Sequence, residues 1–475
     1  MNPTDFHTRR HWLQKAGAGF GGLGLASLLA DEGLLGTNDP LAPKVAHFPG
    51  KAKSVIWLFI NGGPSQVDTW DYKPELEKMD GKELKGFDKN TGFFANAVGP
   101  LMKSPFEFTP RGQCGKMVSS IFPKLGEHVD KMAFIHSGYT ESNNHSPALF
   151  MMNSGLPRMG NPCLGSWVTY GLGSESRDLP SFVVMSDPLN RGLPKGAAAN
   201  WGAGFLPSVY QGTWLKPQGD PIDNLNRPAH MNDAQQTRQL ALLKKLNGGH
   251  LETRPGDAEL EARIKSFELA YRMQTAAPKA FDIEQEPEHI KKLYGIDEKR
   301  CDHVARQCLT ARRMVERGVR FVQIYSGGMA NQRSWDGHND IQGNHSQFAG
   351  ETDTPIAGLL TDLEQRGLLK DTLVIWGGEF GRLPLSQKSQ KPGRDHNPHC
   401  FTTWMAGGGI KGGVSYGESD DIGHHAAVDR AHVNDIHATI LHQLGFDHEK
   451  LTYTHNGRRF RLTDVGGNVI KPILA

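Results

Sequence analysis

The 475-residue chain carries a formal net charge of +2, with 37% hydrophobic and 22% charged residues. That balance excludes a disordered polypeptide, and near-neutral charge without a clustered basic face gives no footprint for nucleic acid. No run of about 20 apolar residues is present, which excludes an ordinary transmembrane helix.

At the N-terminus, Thr8-Arg9-Arg10-His11-Trp12-Leu13-Gln14-Lys15 precedes a weakly apolar, glycine-rich run from Ala16 to Ala30. Paired arginines ahead of a mild apolar segment, with an aromatic residue and a leucine following, match the twin-arginine export pattern. Residues 1–30 are therefore expected to engage the twin-arginine export machinery and to direct the folded protein to the periplasm or the cell exterior. No A-x-A cleavage site follows, so removal of the segment and its retention as a membrane tether both stay open. The cysteines, Cys114, Cys163, Cys301, Cys308 and Cys400, form no CxxC pair and are odd in number, and free thiols are expected.

Lys53 to Ile60 is a short apolar run that opens into Asn61-Gly62-Gly63-Pro64, the pattern of a buried strand ending in a turn. Met132 to His136 is a second such run, followed by a polar loop and an apolar helix over about 147–153. Ser181 to Met185 reads as a third strand, and 188–220, rich in glycine, proline and tryptophan, as a surface excursion. From about 232 to 318 the spacing turns helical, most clearly in Ala258 to Met273 and Val304 to Glu316. A strand at Arg320 to Tyr325, a helix over 355–366, strands at Thr372 to Trp376 and Phe401 to Ala406, and a helix near 433–444 complete the order. Strands alternating with helices predict an α/β fold with a mainly parallel sheet covered on both faces.

Ligands of such sheets bind beyond the carboxyl ends of the strands. There the chain places Asn61, Ser65, Asp68 and Asp71, then Asn143, Asn144 and His145. Farther on come Trp335-Asp336-Gly337-His338-Asn339-Asp340 and His345, then Glu379 and Arg382, and finally Arg394-Asp395-His396-Asn397-Pro398. Recurring carboxylates and imidazoles at strand ends are the material of a divalent metal site. Asp336, His338 and the Asp395-His396 pair serve equally well as loop residues making turn hydrogen bonds. Glu379, directly after a buried strand, is either paired or functional. Arg382 and Arg394 are candidates for holding an anion or for pairing with a nearby carboxylate. The late histidines, His424, His425, His432, His437, His442 and His448, share no helical face and read as surface or hydrogen-bonded residues.

The order of these motifs resembles the alkaline phosphatase superfamily, especially its sulfatases. The run of twin arginines, GGPS, WDGHND, GGEFGR, GRDHNP, AGGGIKGG and RLTDV resembles the exported domain-of-unknown-function family numbered 1501 over nearly the full length. The resemblance implies an alkaline phosphatase-like three-layer sandwich over residues 50–475, with a helical insertion at about 220–318. It also implies a divalent metal, zinc or calcium, and ester substrates, either small molecules or polysaccharides. The departures are specific. His145 stands in the slot where sulfatases carry the Cys or Ser that becomes formylglycine, and Leu149 replaces the following arginine. Asn61-Gly62 replaces an acidic pair, and Glu379-Phe380 replaces Asp-His. Two functions remain. One is an exported metal-dependent hydrolase of phosphate or sulfate esters without the formylglycine nucleophile. In it Asp336, His338, Glu379 and His396 are metal ligands, Asp395 is a ligand or an orienting group, and Arg382 holds the substrate anion. His145 is there a further ligand, a nucleophile or an acid–base group. The other is a non-catalytic binding or assembly protein of the cell envelope.

Overall fold

The computed structural model describes residues 39–475 apart from 217–220, 223, 224, 226, 228, 229, 255 and 256. The expected export signal falls on residues 1–30 and lies outside the described residues. The first sheet strand, β1 (Ser54–Ile60), is buried on both faces. Its side chains alternate as strand geometry requires. Ile56, Leu58 and Ile60 enter one core cluster, and Val55, Trp57 and Phe59 enter the other.

Eight further strands join it: β2 (Met132–Tyr139), β3 (Phe182–Met185), β4 (Thr213–Leu215), β5 (Phe321–Ser326), β6 (Thr372–Gly377), β7 (Phe401–Ala406), β8 (Val414–Tyr416) and β9 (Ala431–His432). Their order is β8-β2-β7-β6-β1-β5-β3-β4, with β9 also beside β2. Only β7 runs against its neighbours, with Trp404 opposite Trp376 and Phe134; the other pairings within this sheet are parallel.

The longer helices are α1 (His145–Ser154), α2 (Leu164–Leu172), α3 (Asp233–Glu252), α4 (Ala258–Phe281), α5 (Glu288–Tyr294), α6 (Asp302–Glu316), α7 (Ile341–Gln365) and α8 (Val433–Gln443). Leu149, Trp167 and Ile440 bring α1, α2 and α8 onto the Trp57 face, whereas Met273, Leu309 and Leu359 bring α4, α6 and α7 onto the Leu58 face. The result is a mostly parallel sheet between two helical layers, the three-layer plan expected from the strand and helix order. Burial of each large side chain in these cores stabilises the fold by about 1.5–3 kcal/mol. Among the described residues, no helix is long and apolar enough to cross a membrane. All five cysteines are unpaired.

Two expectations change. Helix α7 begins at Ile341, not at Pro355, although proline suits a first turn. Phe348 and Ala349, fully buried in the same cluster as Ile356 and Leu359, give the earlier turns their own core contacts. The segment 188–220 is no mere surface excursion. Trp201, Leu206 and Tyr210 are buried in the Trp57 cluster, and Thr213–Leu215 within the segment form edge strand β4.

The strand directions bring the candidate site segments together. β1, β2, β5 and β6 end on the same side of the sheet. Because β7 is reversed, the residues that precede it arrive on that side too.

Candidate metal centre

Five segments meet at this edge. Gly62 follows β1, His145 is the first residue of α1, and Asp336 and His338 lie in the loop between β5 and α7. Glu379 follows β6, and His396 precedes β7. The loops are tied by backbone pairing. Gly381 and Arg382 pair antiparallel with Asn397 and His396, the Arg394 N–H donates to Gly337 O at 2.9 Å, and the Ile341 N–H donates to Pro392 O at 3.1 Å. Trp335 anchors the Asp336 loop from below, fully buried, its Nε1 donating to Ser326 Oγ at 3.0 Å. Gly62 has a φ of +105°, and a Cβ there would lie 2.5 Å from Ser334 Oγ and 2.7 Å from Asp336 N. Only glycine accepts both that conformation and that approach.

One donor atom from each of His145, Asp336, His338 and His396 lies within 4.8 Å of all the others. Nε2 of His338 and Nε2 of His396 are 2.9 Å apart. Asp336 Oδ1 is 2.9 Å from the first and 3.2 Å from the second, and Oδ2 is 3.1 Å from His145 Nε2. The opposite side of each ring has an acceptor. His145 Nδ1 faces Glu379 Oε1 at 2.8 Å, His338 Nδ1 faces Gln387 Oε1 at 2.7 Å, and His396 Nδ1 faces Asn143 O at 2.6 Å. Carboxylate and carbonyl oxygens only accept, so each Nδ1 carries a proton, and in the neutral ring Nε2 then presents a lone pair. Three lone pairs and a carboxylate then point at one another, an arrangement that a cation resolves. Imidazole-rich N3O sets with ring protons fixed by outer acceptors suit zinc; calcium requires a shell of oxygens. Bonds of about 2.0–2.1 Å in a tetrahedron separate the ligand atoms by about 3.3 Å, close to the 2.9–3.2 Å between Asp336 Oδ1, His338 Nε2 and His396 Nε2, so the residues present fit such an ion.

Glu379 sits behind His145, where its carboxylate also accepts the Gly62 N–H at 3.0 Å, rather than within the converging group. Asp395 likewise faces outward from it, with Oδ1 accepting the His396 N–H at 2.8 Å and Oδ2 the Phe94 N–H at 2.6 Å. Arg382 is completely buried. Its guanidinium donates to the carbonyls of Gly62, Gly63 and Arg394 and, at 2.6 Å, to Asp336 Oδ1. Arg394 is spent on Asp68, at 2.6 and 3.1 Å. Asp71 pairs with Lys73 and Ser419, and His345 Nε2 accepts the Ser65 N–H at 2.9 Å. Asn61 turns its amide to the Gly328 carbonyl. Burial opposes charge on Asp336, but Arg382 and the three imidazoles together hold its carboxyl well below the usual range. Burial likewise disfavours charge on His145, yet Asp336 and Glu379 raise its basicity. At His396 burial wins, with His145 adding to it, and the ring is held well below its ordinary value.

Gln387 and the Asn143 carbonyl, which orient two of the rings, carry no signal in the sequence, because a backbone oxygen or a lone loop glutamine looks the same in any role. Phe93 and Phe94 carry no such signal either. Their half-exposed rings lie over His396 and His338, with centroids 5.7 and 5.0 Å away.

Several solved structures are similar to this chain at low identity. The lipoteichoic acid synthase LtaP from Listeria monocytogenes is 9% identical, covering 90% of this chain and 79% of its own, with a TM-score of 0.34. The PsFucS1 sulfatase from Pseudoalteromonas sp. is 13% identical, covering 83% and 68%, with a TM-score of 0.35. The alkaline phosphatase from the Antarctic bacterium TAB5 is 9% identical, covering 75% and 92%, with a TM-score of 0.31. No curated protein sequence matches the chain. The family described as "Protein of unknown function (DUF1501)" matches residues 52–474. The chain belongs to that family.

Proposed function

We propose that the protein is an exported, metal-dependent hydrolase of phosphate or sulfate esters, built on a zinc-type centre held by His145, Asp336, His338 and His396. The observation that carries this reading is the convergence of three Nε2 atoms on one carboxylate, with an oxygen acceptor behind each Nδ1 that leaves Nε2 free for a cation in the neutral ring. A divalent ion bound there supplies Lewis acidity toward an ester oxygen and lowers the pKa of a coordinated water. The ester class follows from the sulfatase-like order of the motifs, and export follows from the Arg9-Arg10 segment. His145 occupies the nucleophile slot with one nitrogen given to Glu379 and the other to the donor group. It therefore acts as a ligand and not as an attacking group, and the attacking oxygen comes from water. Glu379 and Asp395 orient, Arg382 holds Asp336 in place, and Phe93 and Phe94 offer an apolar rim to the alcohol portion of the substrate.

The inward commitment of Arg382 also favours the second reading, a non-catalytic binding or assembly protein, since no guanidinium of the Arg382–Arg394 pair is free for a substrate anion. One experiment separates the two. Protein produced through its export route is assayed for bound metal and for turnover of aryl phosphates, phosphonates and sulfates, beside His396→Ala. Zinc at this centre and turnover, both lost in the variant, are expected. Absence of metal together with absence of turnover across the panel would refute the hydrolase, and metal without turnover would select the second reading.

A further inference from the structure

A second group of metal-type donors lies outside the centre described above. It is built on the hairpin between strands Glu418–Ser419 and Ala426–Val428, where Asp420, His424 and His425 each offer a donor atom within 4.8 Å of the other two. The carboxylate of Asp420 shapes this turn by accepting N–H groups from Ile422, His424 and His425 at 3.3, 2.7 and 2.9 Å. Such hydrogen bonds are ordinary turn chemistry and point to no ligand. His424 is different. The sequence predicts a surface or hydrogen-bonded ring, but the residue is only 7% exposed and its Nε2 is buried without a hydrogen-bond partner. A buried imidazole nitrogen left unsatisfied is destabilising, and such a group in a native fold calls for a partner such as an ion. Its ring is wedged against His425, with centroids 3.9 Å apart, and against Phe87 at 5.3 Å.

We propose that Asp420, His424 and His425 form a second divalent-metal site, selective for a transition ion of the zinc type, with its remaining positions open to water. Two imidazoles and one carboxylate are too nitrogen-rich for calcium or magnesium. The open side is visible in the side chains, since His425 is 54% and Asp420 31% exposed. The hairpin is tied to the first centre through its backbone: Gln66 Nε2 donates to Gly423 O at 2.7 Å and to Arg382 O at 2.8 Å, and Asn397 Nδ2 donates to His424 O at 2.8 Å. An ion there pins a turn that supports the residues flanking Arg382 and His396.

The test is zinc stoichiometry and affinity on the full chain, measured by equilibrium dialysis with elemental analysis, with no activity readout. Wild type is expected to hold two zinc ions, and His396→Ala and His425→Ala one each. His425 projects toward solvent, so His425→Ala is expected to fold as wild type does. Its second-site affinity should fall by at least about tenfold, the size at which loss of even an orienting partner is felt. Asp420→Asn should do the same. Wild-type stoichiometry and affinity in both His425→Ala and Asp420→Asn overturns the proposal. A single zinc that His425→Ala removes and His396→Ala keeps supports this site while counting against the first.

Discussion

Arg382→Met separates an arginine that holds a substrate from one that holds the site. The residue is completely buried, and its guanidinium is consumed by three backbone carbonyls and Asp336 Oδ1. Methionine matches the stem but leaves the Asp336 carboxylate without its strongest counter-charge and the carbonyls of Gly62, Gly63 and Arg394 short of a donor. Removing one member of a buried ion pair costs about 3–5 kcal/mol. For an m-value of about 4 kcal/mol/M, above the range of small domains because m grows with size, that lowers the urea midpoint by roughly 1 M. The assay is urea unfolding of metal-free protein followed by tryptophan fluorescence. Arg382→Lys should recover little, because an ammonium cannot reproduce a planar fork that reaches several acceptors at once. An unchanged midpoint in Arg382→Met, accompanied by a raised KM for an ester, would refute the structural role and return the residue to the substrate anion.

Other outcomes follow from the same geometry. Glu379→Ala should weaken zinc binding at this centre by about 10–100-fold in chelator competition, the usual effect of losing the acceptor behind a ligating histidine; unchanged affinity would remove Glu379 from that role. Glu351 is opposed by burial, yet His303 and Arg191 hold it down to about 2. Its folded value lies below the unfolded one, so its contribution, up to about 3 kcal/mol, is present above about pH 4.5 and disappears as the pH falls toward 2. Glu351→Gln should flatten the stability profile over that acid range. Burial pushes Lys116 down to about 8. Between that pH and about 10.4 the unfolded lysine keeps a proton that the folded one has released, so stability from this group rises with pH. Lys116→Met should abolish that rise, and a persisting rise would show that the lysine is not its source.

Much of the architecture was written locally. Apolar runs ending in Asn61-Gly62-Gly63 or Gly377-Gly378, and helical spacing over Val304 to Glu316, are properties of neighbouring residues, and the strands and helices formed where those patterns lie. Pro355 misled because burial of Phe348 and Ala349 carries α7 past a residue that locally suggests a start. Asp336, His338 and His396 belong to motifs that stand out by composition and by position after strands. Their grouping does not, because it depends on β1 lying between β5 and β6 and on the reversal of β7, pairings between segments far apart in the chain.

Taken by itself, the sequence determined an α/β chain with carboxylates and imidazoles after its strands, because periodicity and turn chemistry act over a few residues. Only the tertiary structure decided which of those groups face one another. Glu379 stands behind His145, Arg382 turns inward to Asp336, and three Nε2 atoms meet at one carboxylate, because strand order, strand direction and the acceptor behind each ring are set by packing across the whole molecule.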